Sequence, residues 1–221
     1  GRGLTFGLTV PLWFMEGDAV GTETALTSAG RGRLPSFEMP FRTQLLEYGP
    51  YSYQKASFGS YKNIVPNQYP FGYFMTTYVK KHYGNKVWGN VLTRVGRNPL
   101  LPFRFSTALK KETGLRTIDL YKKMTTELCV LWKQQVNQLN YTNFNTISKS
   151  HKLPTDYHFP SIQDANKIIV VKSGFDQIPI FITIDSLGNE ELIYQPINYN
   201  HVSFFANQQK MVWTETVPDL R

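Results

Sequence analysis

The spacing of apolar residues divides the chain into two parts that differ in periodicity. Between Leu12 and Gln138, apolar residues recur three and four positions apart, as they do in helices with one buried face. From Lys167 onward they fall in short β-branched and aromatic runs separated by turn residues, which is typical of antiparallel strands. The pattern therefore predicts an α+β protein in which an all-helical domain precedes a strand-rich segment.

Start and stop signals define the predicted elements. Pro11 suits the first turn of a helix, Asn85 is a candidate cap, and Gly49, Gly84 and Gly114 each follow a run of helical spacing. The predicted helices cover residues 12–27, 41–48, 68–83, a segment after 85, 103–112 and 117–138, and the predicted strands cover residues 167–172, 178–184 and 191–194. The polar stretch between them indicates a helical domain at 1–138, a linker at 139–156 and a strand-rich segment at 157–221.

The strand-rich segment contains the beginning of a repeat. DANKIIVVKSG at 164–174 is echoed by ANQQKMVWTET at 206–216, which places Lys167 and Lys210 43 residues apart. A period of about 40 to 45 residues is typical of propeller blades. Residues 157–221 resemble the blades of TolB-type propellers, with Asp185 to Gly188 matching their Asp-x-x-Gly turn, although Gln-Asp-Ala-Asn at 163–166 replaces their usual Ser-Pro-Asp-Gly. The resemblance implies one to two propeller-like blades.

Composition and charge exclude several classes of protein. The chain has 221 residues, of which 41% are hydrophobic and 14% aromatic, enough to fill a core. Cys129 is its single cysteine, which excludes an internal disulfide or a thiolate zinc cluster. No apolar run reaches the roughly 18 to 20 residues of a membrane span. The net charge is +8, but the lysine pairs at 80–81, 110–111 and 122–123 accompany no nucleic-acid motif, so we interpret them as solvated helix faces.

An acidic residue, Glu16, lies in the middle of the largely apolar and aromatic run at 11–26. On a helix it shares one face with Trp13, Val20 and Glu23. From the residues alone, the Glu16 carboxylate either forms an ion pair with an arginine of the following loop, at position 31 or 33, or points to water.

Residues 11–19, Pro-Leu-Trp-Phe-Met-Glu-Gly-Asp-Ala, resemble the segment of gluzincin (aminopeptidase-like) zinc metallopeptidases that carries Trp-x-x-Glu-Gly-x-Ala. The resemblance covers about residues 10–135. It implies that Glu16 is the third zinc ligand, and that Gly17 and Ala19 allow close approach of the helix bearing His-Glu-x-x-His. The stretch from Tyr69 to Gly72 resembles the family's Tyr-x-x-Gly, whose tyrosine stabilises the oxyanion. The alternative for Tyr69 is an aromatic residue packed at a helix start.

None of the four histidines, at positions 82, 151, 158 and 201, belongs to a His-Glu-x-x-His motif. We therefore predict a fragment of a bacterial zinc-dependent peptidase, with zinc in the parent protein and none bound by this chain alone, which is inactive. The alternative is a non-enzymatic TolB-like envelope module in which a degenerate peptidase-like domain binds a protein. The expected partners are a peptide or protein, the remainder of the parent, or a second copy of the chain, but not nucleic acid. The resemblances imply a periplasmic or cell-surface location.

Overall fold

The computed structural model describes residues 9–197, 204–207 and 210–215. These residues form two compact units, one made of residues 9–60 and 64–140 and the other of residues 61–63 and 141 onward. The first unit is helical and the second contains antiparallel strands. The predicted α+β class, with helices preceding strands, is therefore confirmed.

Seven α-helices form the described part of the helical unit. Several have the ends that their sequences predict: Asn67 caps one by accepting a hydrogen bond from the Tyr69 amide, and Gly84 and Gly114 terminate helices with positive φ. The helices are α1 (Leu12–Leu26), α2 (Pro35–Tyr48), α3 (Tyr53–Phe58), α4 (Gln68–Tyr83), α5 (Val87–Arg97), α6 (Arg104–Thr113) and α7 (Thr117–Asn137).

Three features of the helical unit differ from the sequence prediction. Asn85 does not cap α5, whose N-cap is Lys86 with helical φ and ψ and no side-chain cap hydrogen bond. Helix α2 begins at Pro35, six residues before the predicted start, because a proline at the first helical position has the required φ and Pro40 is accommodated inside the helix. The short α3 was not predicted, and Ser52 caps it by accepting a hydrogen bond from the Lys55 amide.

Strands β1 (Thr155–Ile162), β2 (Lys167–Gly174), β3 (Ile180–Asp185) and β4 (Glu190–Tyr194) form an antiparallel sheet in sequential order, and β5 (Phe204–Ala206) pairs with β6 (Met211–Trp213). Strand β1 begins within the segment predicted as a linker. The central strands are buried on both faces. Val171 and Phe181 pack with the β5–β6 hairpin on one side, whereas Val170 and Ile182 pack with Ile147 on the other.

Two turns of this unit, 43 residues apart, share one hydrogen-bond pattern. In the first, the Lys167 amide donates to Asp164 Oδ1 at 2.9 Å, and the Asp164 amide donates to the Lys167 carbonyl at 3.3 Å. In the second, the Lys210 amide donates to Asn207 Oδ1 at 2.8 Å, and the Asn207 amide donates to the Lys210 carbonyl at 2.9 Å. Each turn connects two antiparallel strands, so the repeat seen in the sequence has a structural counterpart.

Candidate functional site

The two residues singled out by the sequence, Glu16 and Tyr69, lie on helices that are in direct backbone contact. Helix α1 carries Glu16 and helix α4 carries Tyr69. The helices meet at Gly17 and Gly72: a Cβ on Gly72 would lie 2.8 Å from the Trp13 carbonyl carbon and 2.9 Å from the Gly17 Cα. These distances leave no space for a side chain. The structure therefore brings the two predicted motifs together at one helix crossing.

An aromatic cluster fixes the start of α1. Trp13 is 2% exposed, and its ring contacts those of Phe71, Trp88 and Phe105 at centroid distances of 5.7, 6.5 and 5.8 Å. Its indole Nε1 donates a hydrogen bond of 2.9 Å to the Tyr53 hydroxyl. Because Glu16 follows Trp13 by about one turn, this anchored residue determines the position of the Glu16 backbone.

The Glu16 side chain is half-buried and makes no ion pair or hydrogen bond with any residue that the structure describes. The ion pair considered for it is not formed. Arg31 instead donates from Nε to the Glu23 carboxylate at 2.9 Å, and Arg33 donates to the Thr24 carbonyl oxygen. Within the described residues, the Glu16 carboxylate therefore has no partner.

Arg31 connects α1 to Tyr69. Its side chain and its backbone amide both donate to Glu23, and these hydrogen bonds hold the pKa of the Glu23 carboxyl below its usual value. The guanidinium carbon lies 5.2 Å from the centroid of the Tyr69 ring, a cation–π distance. The half-buried Tyr69 makes no side-chain hydrogen bond among the described residues, so its hydroxyl is available to donate.

A second bridge joins the same two helices. Lys80 Nζ lies 2.7 Å from Asp18 Oδ1, and both side chains are partly exposed. Gly21 has room for a methyl group, because the nearest atoms to its ideal Cβ are those of Lys80 and Thr77, at 3.9 Å. The sequence pattern did not predict this pair, although Asp18 is adjacent to Gly17, nor the contacts of Arg31 with Glu23 and Tyr69. The small residue predicted alongside Gly17, Ala19, is exposed to solvent.

Imidazole groups are not found beside Glu16 in the part of the chain that the structure describes. His82 contacts Glu127 at 3.0 Å, His151 contacts the Tyr157 hydroxyl at 2.7 Å, and His158 lies in β1, while His201 is outside the described residues. No three His, Cys, Asp or Glu side chains in the described ranges are grouped as metal ligands.

Comparison of the chain with models of protein families, with curated proteins and with solved structures finds no match. Across the described ranges, every helix is too short or too polar to cross a lipid bilayer.

Proposed function

We propose that this chain contributes Glu16 and Tyr69 to a gluzincin-type zinc peptidase centre. The two imidazoles and the general base come from a His-Glu-x-x-His segment outside the chain. The contact between Gly17 and Gly72 carries this proposal, because it joins the helices at the turns next to Glu16 and Tyr69. A sequence match at two separated motifs would not by itself require the two helices to touch.

The environment of each residue supports the assigned role. A catalytic zinc ion has three protein ligands and one open position, and when bound it lowers the pKa of water to about 7. Glu16 supplies one anionic oxygen and has no competing partner among the described residues. Tyr69 has an available hydroxyl, which can donate to an oxyanion, and its ring is held against Arg31. With one ligand of three, this chain alone is inactive.

The test is peptidase activity of the protein encoded by the complete reading frame. We expect Glu16→Gln to abolish cleavage of a fluorogenic peptide mixture and Tyr69→Phe to lower kcat about 100- to 1,000-fold, the usual effect of losing an oxyanion donor. Glu47→Gln and Tyr48→Phe are the matched controls, since both residues are exposed on α2. Full activity in Glu16→Gln, or a complete sequence without His-Glu-x-x-His, would refute the proposal.

A second candidate function is a non-enzymatic TolB-like module that binds a peptide or protein in the bacterial envelope. The four-stranded meander and the two equivalent turns 43 residues apart support propeller-like blades in the strand-rich unit. In this case the peptidase-like helices only hold a partner. Partner binding that survives Glu16→Gln in the complete protein, together with the absence of peptidase activity, favours this second function.

A further inference from the structure

A surface groove runs between α4 and α7, on residues other than those proposed for the peptidase centre. It has a volume of about 850 Å³, and its lining includes Tyr78, Lys81, Lys122, Thr126, Val130 and Leu131. A second hollow of about 210 Å³ shares several of these residues and adds Phe74, Met124 and Leu128. The groove lies entirely within the helical unit.

The floor of the groove is apolar and open to solvent. Val130 and Leu131 are 53% and 45% exposed. In the adjoining hollow, Met124, Leu128 and Leu131 recur at positions i, i+4 and i+7 of α7, and Met124 is fully buried whereas Leu131 is exposed. On α7 the lining runs from Asp119 to Gln134 and extends about 22 Å along the helix axis, about four turns. Two helices with an apolar stripe between them form a groove into which the apolar face of a third helix fits.

At the rim of the groove, one carboxylate is neutralised by neighbouring side chains whereas two lysines are not. Glu127 accepts from Lys81 at 2.7 Å and lies 3.0 Å from His82, and the Lys81 hydrogen bond in particular keeps the pKa of its carboxyl low. The Glu127 charge is thus compensated within the groove. Lys122 and Lys123 are exposed and have no ion pair among the described residues.

The second carboxylate of the groove is also stabilised locally, and the helical unit as a whole has more positive than negative side chains. Asp119 lies in the first turn of α7, where the helix dipole stabilises a carboxylate. Residues 9–60 and 64–140 contain 16 Lys and Arg against 8 Asp and Glu. The unit therefore carries a net positive charge, and the groove lining has three lysines against two carboxylates, which favours a partner of negative charge.

We propose that the groove between α4 and α7 binds an acidic amphipathic helix of a partner protein. The apolar floor takes the leucine-type face of that helix, and Lys122 and Lys123 face its carboxylates. The apolar floor disfavours a nucleic-acid backbone, which presents phosphates and no apolar stripe.

The experiment measures fluorescence anisotropy of a labelled synthetic 18-residue peptide with Leu at helical a and d positions and Glu and Ala elsewhere. We expect saturable micromolar binding to the 221-residue chain, at least tenfold tighter than binding of the same peptide with Lys in place of Glu. Leu131→Gln and the double variant Lys122→Glu/Lys123→Glu each weaken binding at least tenfold.

The matched controls are Leu26→Gln, an apolar residue 79% exposed outside the groove, and Lys110→Glu/Lys111→Glu, an equal change of charge on α6. These variants retain affinity within about threefold, and circular dichroism verifies that each variant is folded. Equal losses from the two double-lysine variants, no binding at 1 mM peptide, or displacement of the peptide by an oligonucleotide at lower concentration would each overturn the proposal.

Discussion

Replacing Gly17 with alanine is the most informative perturbation of the α1–α4 crossing. The added methyl group would overlap the backbone of Gly72. The corresponding change on the other helix, Gly72→Ala, would place a Cβ 2.8 Å from the Trp13 carbonyl carbon. Favourable carbon–carbon separations are about 3.5 to 4.0 Å, so the helices would have to move apart by about 1.5 Å or more. Backbone atoms on both sides cannot move away by changing rotamer.

Two opposing effects determine the expected change in the unfolding free energy of Gly17→Ala. Overpacking costs typically about 1 to 3 kcal/mol, and we expect the upper end here because the obstacle is backbone. Alanine regains about 1 kcal/mol of helix propensity relative to glycine, which leaves a net loss of about 2 kcal/mol. Gly21→Ala lies one turn later in the same helix, where the nearest atoms are 3.9 Å away, so that variant is stabilised by about 0.5 to 1 kcal/mol.

The assay is urea unfolding of both variants and the wild type, followed by circular dichroism at 222 nm, which reports on the helical unit. The two alanine variants should differ by about 3 kcal/mol in unfolding free energy, with Gly17→Ala the less stable. If Gly17→Ala is insoluble and Gly21→Ala is soluble, that result also agrees with Gly17→Ala being the less stable variant. Equal stability of the two variants would show that α1 and α4 are not in backbone contact and would remove the main support for the proposed site.

Three further predictions concern stability. The Tyr121 hydroxyl is buried without a hydrogen-bond partner in the described structure, so Tyr121→Phe should stabilise the chain by about 1 kcal/mol in urea unfolding. Tyr53→Phe should instead destabilise the chain, because it removes the acceptor of the hydrogen bond from the Trp13 indole. Burial, assisted by nearby Cys129, raises the pKa of Tyr121 to about 12 from its usual 10. The wild type therefore keeps its full unfolding free energy with respect to this group below about pH 10, and loses part of it between about pH 10 and 12, where the unfolded chain ionises more readily. Thermal melts in that interval should show a shallower loss of stability in Tyr121→Phe than in the wild type. Because Glu16 has no partner among the described residues, Glu16→Gln should change the unfolding free energy by less than about 0.5 kcal/mol, and a larger loss would indicate a structural carboxylate.

The sequence is sufficient to predict the elements whose ends carry strong local signals. Helix α4 has the predicted bounds because Asn67 caps it and Gly84 ends it. Helix α2 starts earlier than predicted because Pro40 resembles a helix breaker and obscures the helix-start signal that Pro35 provides. Strand β1 escapes prediction because an irregularity between His158 and Ser161 interrupts its alternation.

For the candidate site as well, some features could be predicted from the sequence and others could not. Its two principal residues follow from short motifs, but the resemblance implied that Gly17 contacts the helix bearing His-Glu-x-x-His, whereas Gly17 packs against the backbone of Gly72 on α4. Whether Arg31 pairs with Glu16 or with Glu23 cannot be predicted, because the two carboxylates are seven residues apart on one helix face. The path of the loop after α1 selects Glu23, and that path depends on tertiary contacts such as the hydrogen bond from the Gly32 amide to Thr24 Oγ1.

Zinc content tests the assignment of Glu16 most directly. The protein encoded by the complete reading frame, its Glu16→Gln and Glu47→Gln variants, and the 221-residue chain alone would be dialysed against a mild chelator and analysed by inductively coupled plasma mass spectrometry. We predict one zinc ion per molecule in the complete wild-type protein and in Glu47→Gln, at least a tenfold loss in Glu16→Gln, and none in the 221-residue chain. Stoichiometric zinc in Glu16→Gln, or in the 221-residue chain alone, would contradict the assignment of Glu16 as one ligand of a site completed from outside this chain.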